Sequence, residues 1–226
     1  MSILWREIKM VVFDVDGTLY DQRPLRREVI NEMFFHYLFS PGLWREILIL
    51  FHFRRNRERL AQKRVAGISK NQYILSGYEK ESEKVEKVVN EWIRKRPIKH
   101  LNKFVYVGAL DFVLALQKCG IKAVVLSDYY AEEKILAMGF SFDEIISSES
   151  LEIDILKPHP AGINFILKKT EIDKQQVLYV GDREDTDSVA AHHAGIDCII
   201  IRKQDAENHY AQIIKDLYDG YGMLDM

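Results

Sequence analysis

Residues 8–13 form a short apolar run rich in β-branched side chains that stops at Asp14, and Asp16-Gly17 follows as a turn signal. This pattern predicts a buried strand feeding a polar loop. From about Pro24 to Arg96 the texture changes. Helical spacing runs over residues 25–39, 43–64 and 79–96, punctuated by Ser40-Pro41-Gly42, Gly67 and Gly77, and no strand is predicted between them. Beyond Pro97 the pattern alternates. Helices are predicted near 110–118, 132–138, 161–169, 188–194 and 210–218, with strands at 122–126, 144–146, 176–180 and 198–201. Strands alternating with short helices predict an α/β fold with a parallel sheet covered on both faces. The later strands need the 8–13 strand to complete that sheet. The chain therefore divides into a core, 1–20 with 102–226, and an all-helical insertion, 21–101.

Composition narrows the setting. The 226 residues are 47% hydrophobic, enough for a sizeable core, and 32 Lys and Arg against 34 Asp and Glu give a net charge of −2. Such a balance predicts no nucleic-acid partner, and a charged site must be local. Arg6, Glu7 and Lys9 interrupt the apolar residues at the start, which predicts neither a leader nor a membrane span. Cys119 and Cys198 lie far apart within apolar stretches, as expected for free buried thiols in a reducing, cytoplasmic setting.

In an open parallel sheet, ligands bind beyond the carboxyl ends of the strands. Here those ends are Asp14-Val15-Asp16-Gly17-Thr18, Ser127-Asp128, and Gly181-Asp182 followed by Asp185 and Asp187, while Lys157-Pro158 precedes the helix after the third strand. A carboxylate such as Asp14 can attack phosphorus and form an acyl-phosphate, dividing one hard displacement into two easier ones. Asp16, two residues on in an extended segment, is expected to point the same way and to serve as general acid and base. Asp14 and Asp182 would repel each other and a phosphate dianion unless a hard divalent cation, Mg2+, sat between them. Lys157 and the hydroxyls of Ser127 and Thr18 would hold the phosphoryl oxygens, as would backbone N–H groups of the Gly17-Thr18 turn.

These motifs, in this order, resemble those of the haloacid dehalogenase superfamily: Val-Val-Phe-Asp14-Val-Asp16-Gly17-Thr18-Leu19, Val-Val-Leu-Ser127, Lys157-Pro158, and Val-Gly-Asp182-Arg183-Glu184-Asp185-Thr186-Asp187. The resemblance covers residues 8–19 and about 104–201. It implies a Rossmann-like core with Asp14 as nucleophile, Asp16 as acid/base and backbone metal ligand, Ser127 and Lys157 as phosphoryl contacts, and Asp182 as metal ligand. Asp128, where the family more commonly has Asn, is grouped with Ser127 as a substrate contact. Counting back from Ala194-Gly195 favours Asp187 over Asp185 as the second acidic residue of the fourth motif. The insertion resembles a helical cap that closes over the crevice, with residues 20–23 as its hinge.

The expected activity is hydrolysis of a small phosphorylated metabolite, with phosphoryl transfer to a second hydroxyl, as in a sugar-phosphate mutase, and a non-catalytic partner-binding role as alternatives. Dehalogenation is disfavoured, because dehalogenases of this superfamily lack an acid at the Asp16 position. The protein is expected to be a monomer or homodimer without stable membrane insertion. His159 and His192-His193 read as surface or packing residues. In the insertion, the apolar run from Leu43 to Phe53 reads as a helix buried in a bundle, and Arg54, Arg55, Arg57, Arg59, Lys63 and Arg64 as a solvated face; the functional alternative is an anion-binding, partner-binding or membrane-contacting surface.

Overall fold

The first apolar run forms β1 (Met10–Phe13), the centre of a five-stranded parallel sheet of order β3-β2-β1-β4-β5, with β2 at Lys122–Ser127, β3 at Glu144–Ser147, β4 at Val177–Gly181 and β5 at Asp197–Ile200. The structure, a computed structural model, describes residues 3–40 and 44–223. The Pro41-Gly42 turn signal and Leu43 lie outside the described residues. Side-chain alternation along β1 feeds two cores. Val11 and Phe13 pack with Phe112 and Leu116 of α6 (Ala109–Lys118) and with Tyr210 and Leu217 of α10 (Ala206–Tyr221). Met10 and Val12 pack on the other face with Ile163 and Ile166 of α8 (Ala161–Thr170) and Ala190 of α9 (Val189–Ala194). A strand buried on both faces must be apolar at every position, which is why the sequence reads as a continuous run.

α7 (Glu132–Met138) joins β2 to β3, and a π-helical turn, Glu184–Ser188, leads into α9. Between β1 and β2 the described residues are helical or irregular: α1 (Gln22–Leu38), α2 (Arg45–Gln62), the short α3 (Ile68–Asn71), α4 (Ser82–Val89), a π-helical stretch at Asn90–Lys95 and α5 (Arg96–Leu101). α1, α2, α4 and the π-helical stretch share a cluster of their own, including Val29, Tyr37, Ile49, Phe53, Val85 and Trp92, whereas Leu101 of α5 packs in the core against β1 and Ile68 of α3 packs with Leu60 and Leu156. The chain leaves and re-enters the sheet layer side by side. Asp21 N donates to Phe104 O at 2.9 Å and Tyr106 N to Leu19 O at 3.0 Å, which places Tyr20 opposite Val105.

Two expectations are corrected. The 43–64 helix is not buried all round: Ile49, Leu50 and Phe53 face the insertion's core, but Trp44, Leu48 and Phe51 are exposed. An α2 running along the surface can bury only one stripe. The two cysteines are free but half-buried, because Cys119 caps α6 and Cys198 lies on edge strand β5.

Candidate active site

Chain order reverses at β1, with β2 and β3 on one side and β4 and β5 on the other, and a crevice opens at that switch point. β1, β2 and β4 are neighbours, so Asp14, Ser127 and Asp182 emerge side by side. Asp14 N still completes the sheet through Val180 O at 2.8 Å, fixing its backbone before the chain turns. Gly17, at φ +105°, makes that turn. A Cβ there would lie 2.4 Å from Asp182 Oδ2, so both conformation and space require glycine.

Lys157 is the hub. Its Nζ donates to Asp14 Oδ1 at 2.6 Å, Asp187 Oδ1 at 2.7 Å and Tyr179 OH at 3.0 Å, all buried. Burial alone would lower the lysine's pKa, but Asp14 and Asp187 outweigh it and hold the ammonium charged. Burial pushes Asp14 well above the ordinary carboxylate range; Lys157 opposes the shift, and the charges of Asp187 and Asp182 reinforce it. Asp187 Oδ2 accepts from the N–H groups of Asp182 and Arg183, both at 3.1 Å, so this side chain also braces the loop after β4. Asp185, by contrast, is exposed and paired with Arg183. Burial likewise raises Asp182, against Lys203 Nζ at 2.5 Å from its Oδ2; that contact is an ion pair without hydrogen-bond alignment, so the oxygen lacks a directed donor.

Asp14, Asp182 and Asp187 can each present an oxygen within 4.8 Å of the other two. Three hard carboxylate donors, one without a directed partner, fit a divalent cation of the magnesium class. Among the described residues, His159, His192 and His193 do not join this cluster; His159 Nδ1 instead accepts from Ala161 N at the start of α8.

Asp16 has partners of its own. Its carboxylate is taken by Lys134 Nζ of α7 at 2.5 Å and by the Tyr20 hydroxyl, rather than joining Asp14. The strand ends at Phe13, and the turn that follows breaks the two-residue alternation. Burial would raise Asp16, yet Lys134 and Tyr20 more than offset it and hold its pKa below the usual value. Thr18 Oγ1 donates to Asp14 Oδ2 at 3.0 Å, so that hydroxyl serves the aspartate, and Thr18 N is used by Val15 O within the turn. Ser127 is buried, its Oγ accepting from Tyr129 N at 3.2 Å. Asp128 Oδ1 accepts from Lys157 N at 3.3 Å and thereby supports the lysine's backbone.

The arginine run splits. Arg57 is buried rather than solvated: it pairs with Glu149 at 2.7 Å, donates to Asp128 O at 2.5 Å and to Gln72, and lies 3.8 Å over the Tyr129 ring. Glu149's other oxygen takes Arg94 at 2.6 Å. Thus α2 is fastened to the loop carrying Ser127. Lys134, Tyr20, Tyr179, Lys203 and Glu149 escaped the sequence reading. Lys203 alone had a signal, since it follows the end of β5; the others sit at positions that look like ordinary surface or core residues.

A family model described as haloacid dehalogenase-like hydrolase matches residues 8–195. The chain belongs to that family. A phosphoglycolate phosphatase of Pseudomonas savastanoi pv. phaseolicola is 28% identical to this hydrolase over 222 residues, covering 92% of this chain and 77% of that protein. A glyceraldehyde 3-phosphate phosphatase of Methanopyrus kandleri is 28% identical over 217 residues, covering 87% and 84%. Among solved structures, a 2-haloacid dehalogenase from Pseudomonas syringae pv. tomato DC3000 superposes with a TM-score of 0.58 at 20% identity, covering 85% of this chain and 86% of that one. The last similarity is one of fold alone. A hydrolase scaffold shared with a dehalogenase leaves the reaction to the side chains.

Proposed function

We propose that this hydrolase is a magnesium-dependent phosphomonoesterase that acts on a small phosphorylated metabolite through an aspartyl-phosphate on Asp14. One observation carries the reading. Asp14, Asp182 and Asp187 gather around Lys157 at cation-binding spacing, while a second carboxylate, Asp16, stands outside that cluster with its own partners. Dehalogenation needs no acid for a departing halide, whereas an alkoxide leaving from phosphorus needs a proton. The two phosphatase relatives support the same choice.

In this reading an oxygen of Asp14 attacks phosphorus, the P–O bond to the leaving group breaks, and Asp16 supplies the leaving oxygen with a proton. Water then attacks the phosphoryl group and gives its proton to Asp16. Lys134 and Tyr20 favour the ionised Asp16, the form suited to this second half. Lys157 and Ser127 hold phosphoryl oxygens, and Asp128 and Gly17 shape the backbone around them. Asp14, Asp182, Asp187 and the Asp16 backbone would hold Mg2+, which supplies charge neutralisation for the phosphoryl group. Residues 21–101 serve as the cap, hinged where Tyr20 meets Val105, and select the substrate by closing over it. Phosphoglycolate and glyceraldehyde 3-phosphate, the substrates in the relatives' names, both carry phosphate on a short polar chain, and compounds of that kind are the first candidates.

The test is release of inorganic phosphate from phosphoglycolate, glyceraldehyde 3-phosphate, sugar phosphates and an aryl phosphate, with Mg2+ or with chelator, alongside Asp14→Asn. Release that needs the metal and vanishes in the variant is expected. Metal-independent release, or turnover by purified Asp14→Asn, would refute the assignment.

A further inference from the structure

The loop that leaves β5 brings a second lysine to the crevice. Ile201 N donates to Gly181 O at 2.8 Å, so the chain is still in register with β4 as it turns, and Lys203 follows two residues later, before α10 begins. Its Nζ lies 2.5 Å from Asp182 Oδ2. It also reaches the first loop, because a Cβ on Gly17 would stand 3.2 Å from this Nζ and 2.4 Å from Asp182 Oδ2. The ammonium therefore occupies the side of Asp182 that faces the turn after Asp14.

The two lysines of the site are held in opposite ways. Lys157 has a side chain 4% exposed and donates to three acceptors, Asp14, Asp187 and Tyr179. Lys203 is 27% exposed, and among the described residues its one ionic partner is Asp182. That contact lacks hydrogen-bond alignment, so Asp182 Oδ2 is buried without a directed donor. A lysine is a point charge on a flexible stem, and one that ends in a single unaligned contact close to water can swing away at small cost. Lys157 cannot leave without stranding two buried carboxylates.

Charge gives this difference a purpose. Asp14, Asp182 and Asp187 are close enough to share one cation, and Lys157 balances only one of them. In the metal-free protein Asp182 needs a positive partner of its own, and Lys203 supplies it. A divalent cation on the three carboxylates completes the balance with Lys157 alone. Keeping Lys203 on Asp182 as well would leave surplus positive charge in a buried site and set two cations against each other at one oxygen.

We propose that Lys203 is a displaceable counter-cation of the metal site: it pairs with Asp182 in the metal-free protein and is released toward solvent when a divalent cation takes that carboxylate, so it sets the affinity for the metal. The inference rests on the metal site of the proposed function and needs no particular substrate.

The test is calorimetry of Mg2+ alone binding to the full chain, stripped with chelator beforehand, for wild type, Lys203→Met and Lys203→Arg. With its competitor gone, Lys203→Met should bind Mg2+ about tenfold more tightly, between the roughly fivefold or less of a surface pair and the hundredfold or more of a buried one. Lys203→Arg, which keeps the charge, should stay near wild type. In thermal melts Lys203→Met should be less stable than wild type in chelator and recover in saturating Mg2+, whereas a purely structural lysine would lower both melts and leave the Kd alone. Wild type supplies a measure that needs no variant. Reductive methylation of Lys203, followed by peptide mass spectrometry, should quicken several-fold on adding Mg2+ while Lys157 stays protected. An equal or weaker Mg2+ affinity in Lys203→Met, or methylation of Lys203 indifferent to Mg2+, would overturn the proposal alone. No Mg2+ binding by wild type or either variant would overturn the metal site and the proposal with it.

Discussion

Glu149→Gln isolates the fastening between the insertion and the sheet from the chemistry. Glu149 and Arg57 have side chains only 2% and 6% exposed, and the pair is 2.7 Å apart. Removing the charge of Glu149 leaves the Arg57 guanidinium buried, and breaking a buried pair in this way costs about 3 to 5 kcal/mol. Arg57 keeps Gln72, the Asp128 carbonyl and the Tyr129 ring, and Arg94, 23% exposed, can turn to water. The lower end, about 3 kcal/mol, is therefore expected. In a domain of this size each kcal/mol moves Tm by about 2–4 °C, so Tm should fall by roughly 6–12 °C. Thermal melts and urea titrations of Glu149→Gln, Arg57→Met and the double variant Arg57→Met with Glu149→Gln measure it. The double variant should be less destabilised than the sum of its parts, since no buried charge is left unpaired. A loss below about 2 °C for Glu149→Gln, or strict additivity, would show that the network does not hold the insertion to the sheet.

Gly17→Ala should lose phosphatase activity and about 1–3 kcal/mol of stability in a melt, because its Cβ would meet Asp182 Oδ2 at 2.4 Å in a backbone at φ +105°. Asp14 and Asp182 are both raised by burial. Their folded-state pKa values exceed the unfolded ones, so the stability they contribute is present below the ordinary carboxylate range and lost as pH rises through the folded values. In chelator, Tm should accordingly fall as pH increases above that range; a flat profile would count against the strained carboxylate cluster. Magnesium at a hundredfold its Kd should restore about 2.7 kcal/mol, and Asp182→Asn should abolish the rise. Arg54 is exposed near Tyr129, which follows the Ser127 loop. Arg54→Ala should raise KM for phosphoglycolate several-fold with kcat little changed, and an unchanged KM would return Arg54 to the solvated face. Burial pushes the Cys198 thiol to about 12, so it should resist alkylation at pH 8 relative to its rate in urea.

Much of the core was legible because its chemistry sits where periodicity breaks. A continuous apolar run ending abruptly in Asp14, Ser127 or Asp182 marks a doubly buried strand and its exit into a crevice, and both facts are local. The succession of strands and helices likewise predicted helices after the first strand, and the described residues there form α1 to α5. Lys157 and Asp187 could be nominated by motif position, but only the structure shows one ammonium shared between Asp14 and Asp187, and Asp185 turned away to Arg183.

What the sequence by itself determined was the set of elements, their parallel pairing and the residue types at the strand ends, since these follow from hydrophobic period and turn chemistry within a few residues. The tertiary structure alone decided which distant side chains meet. Asp16 went to Lys134, 118 positions away, and Arg57 to Glu149, 92 positions away. It also decided which face of α2 is buried, because a helix apolar on most sides carries no local record of the stripe its neighbours will cover. Those pairings depend on how the insertion lies on the sheet, an arrangement set by packing and charge among segments far apart in the chain.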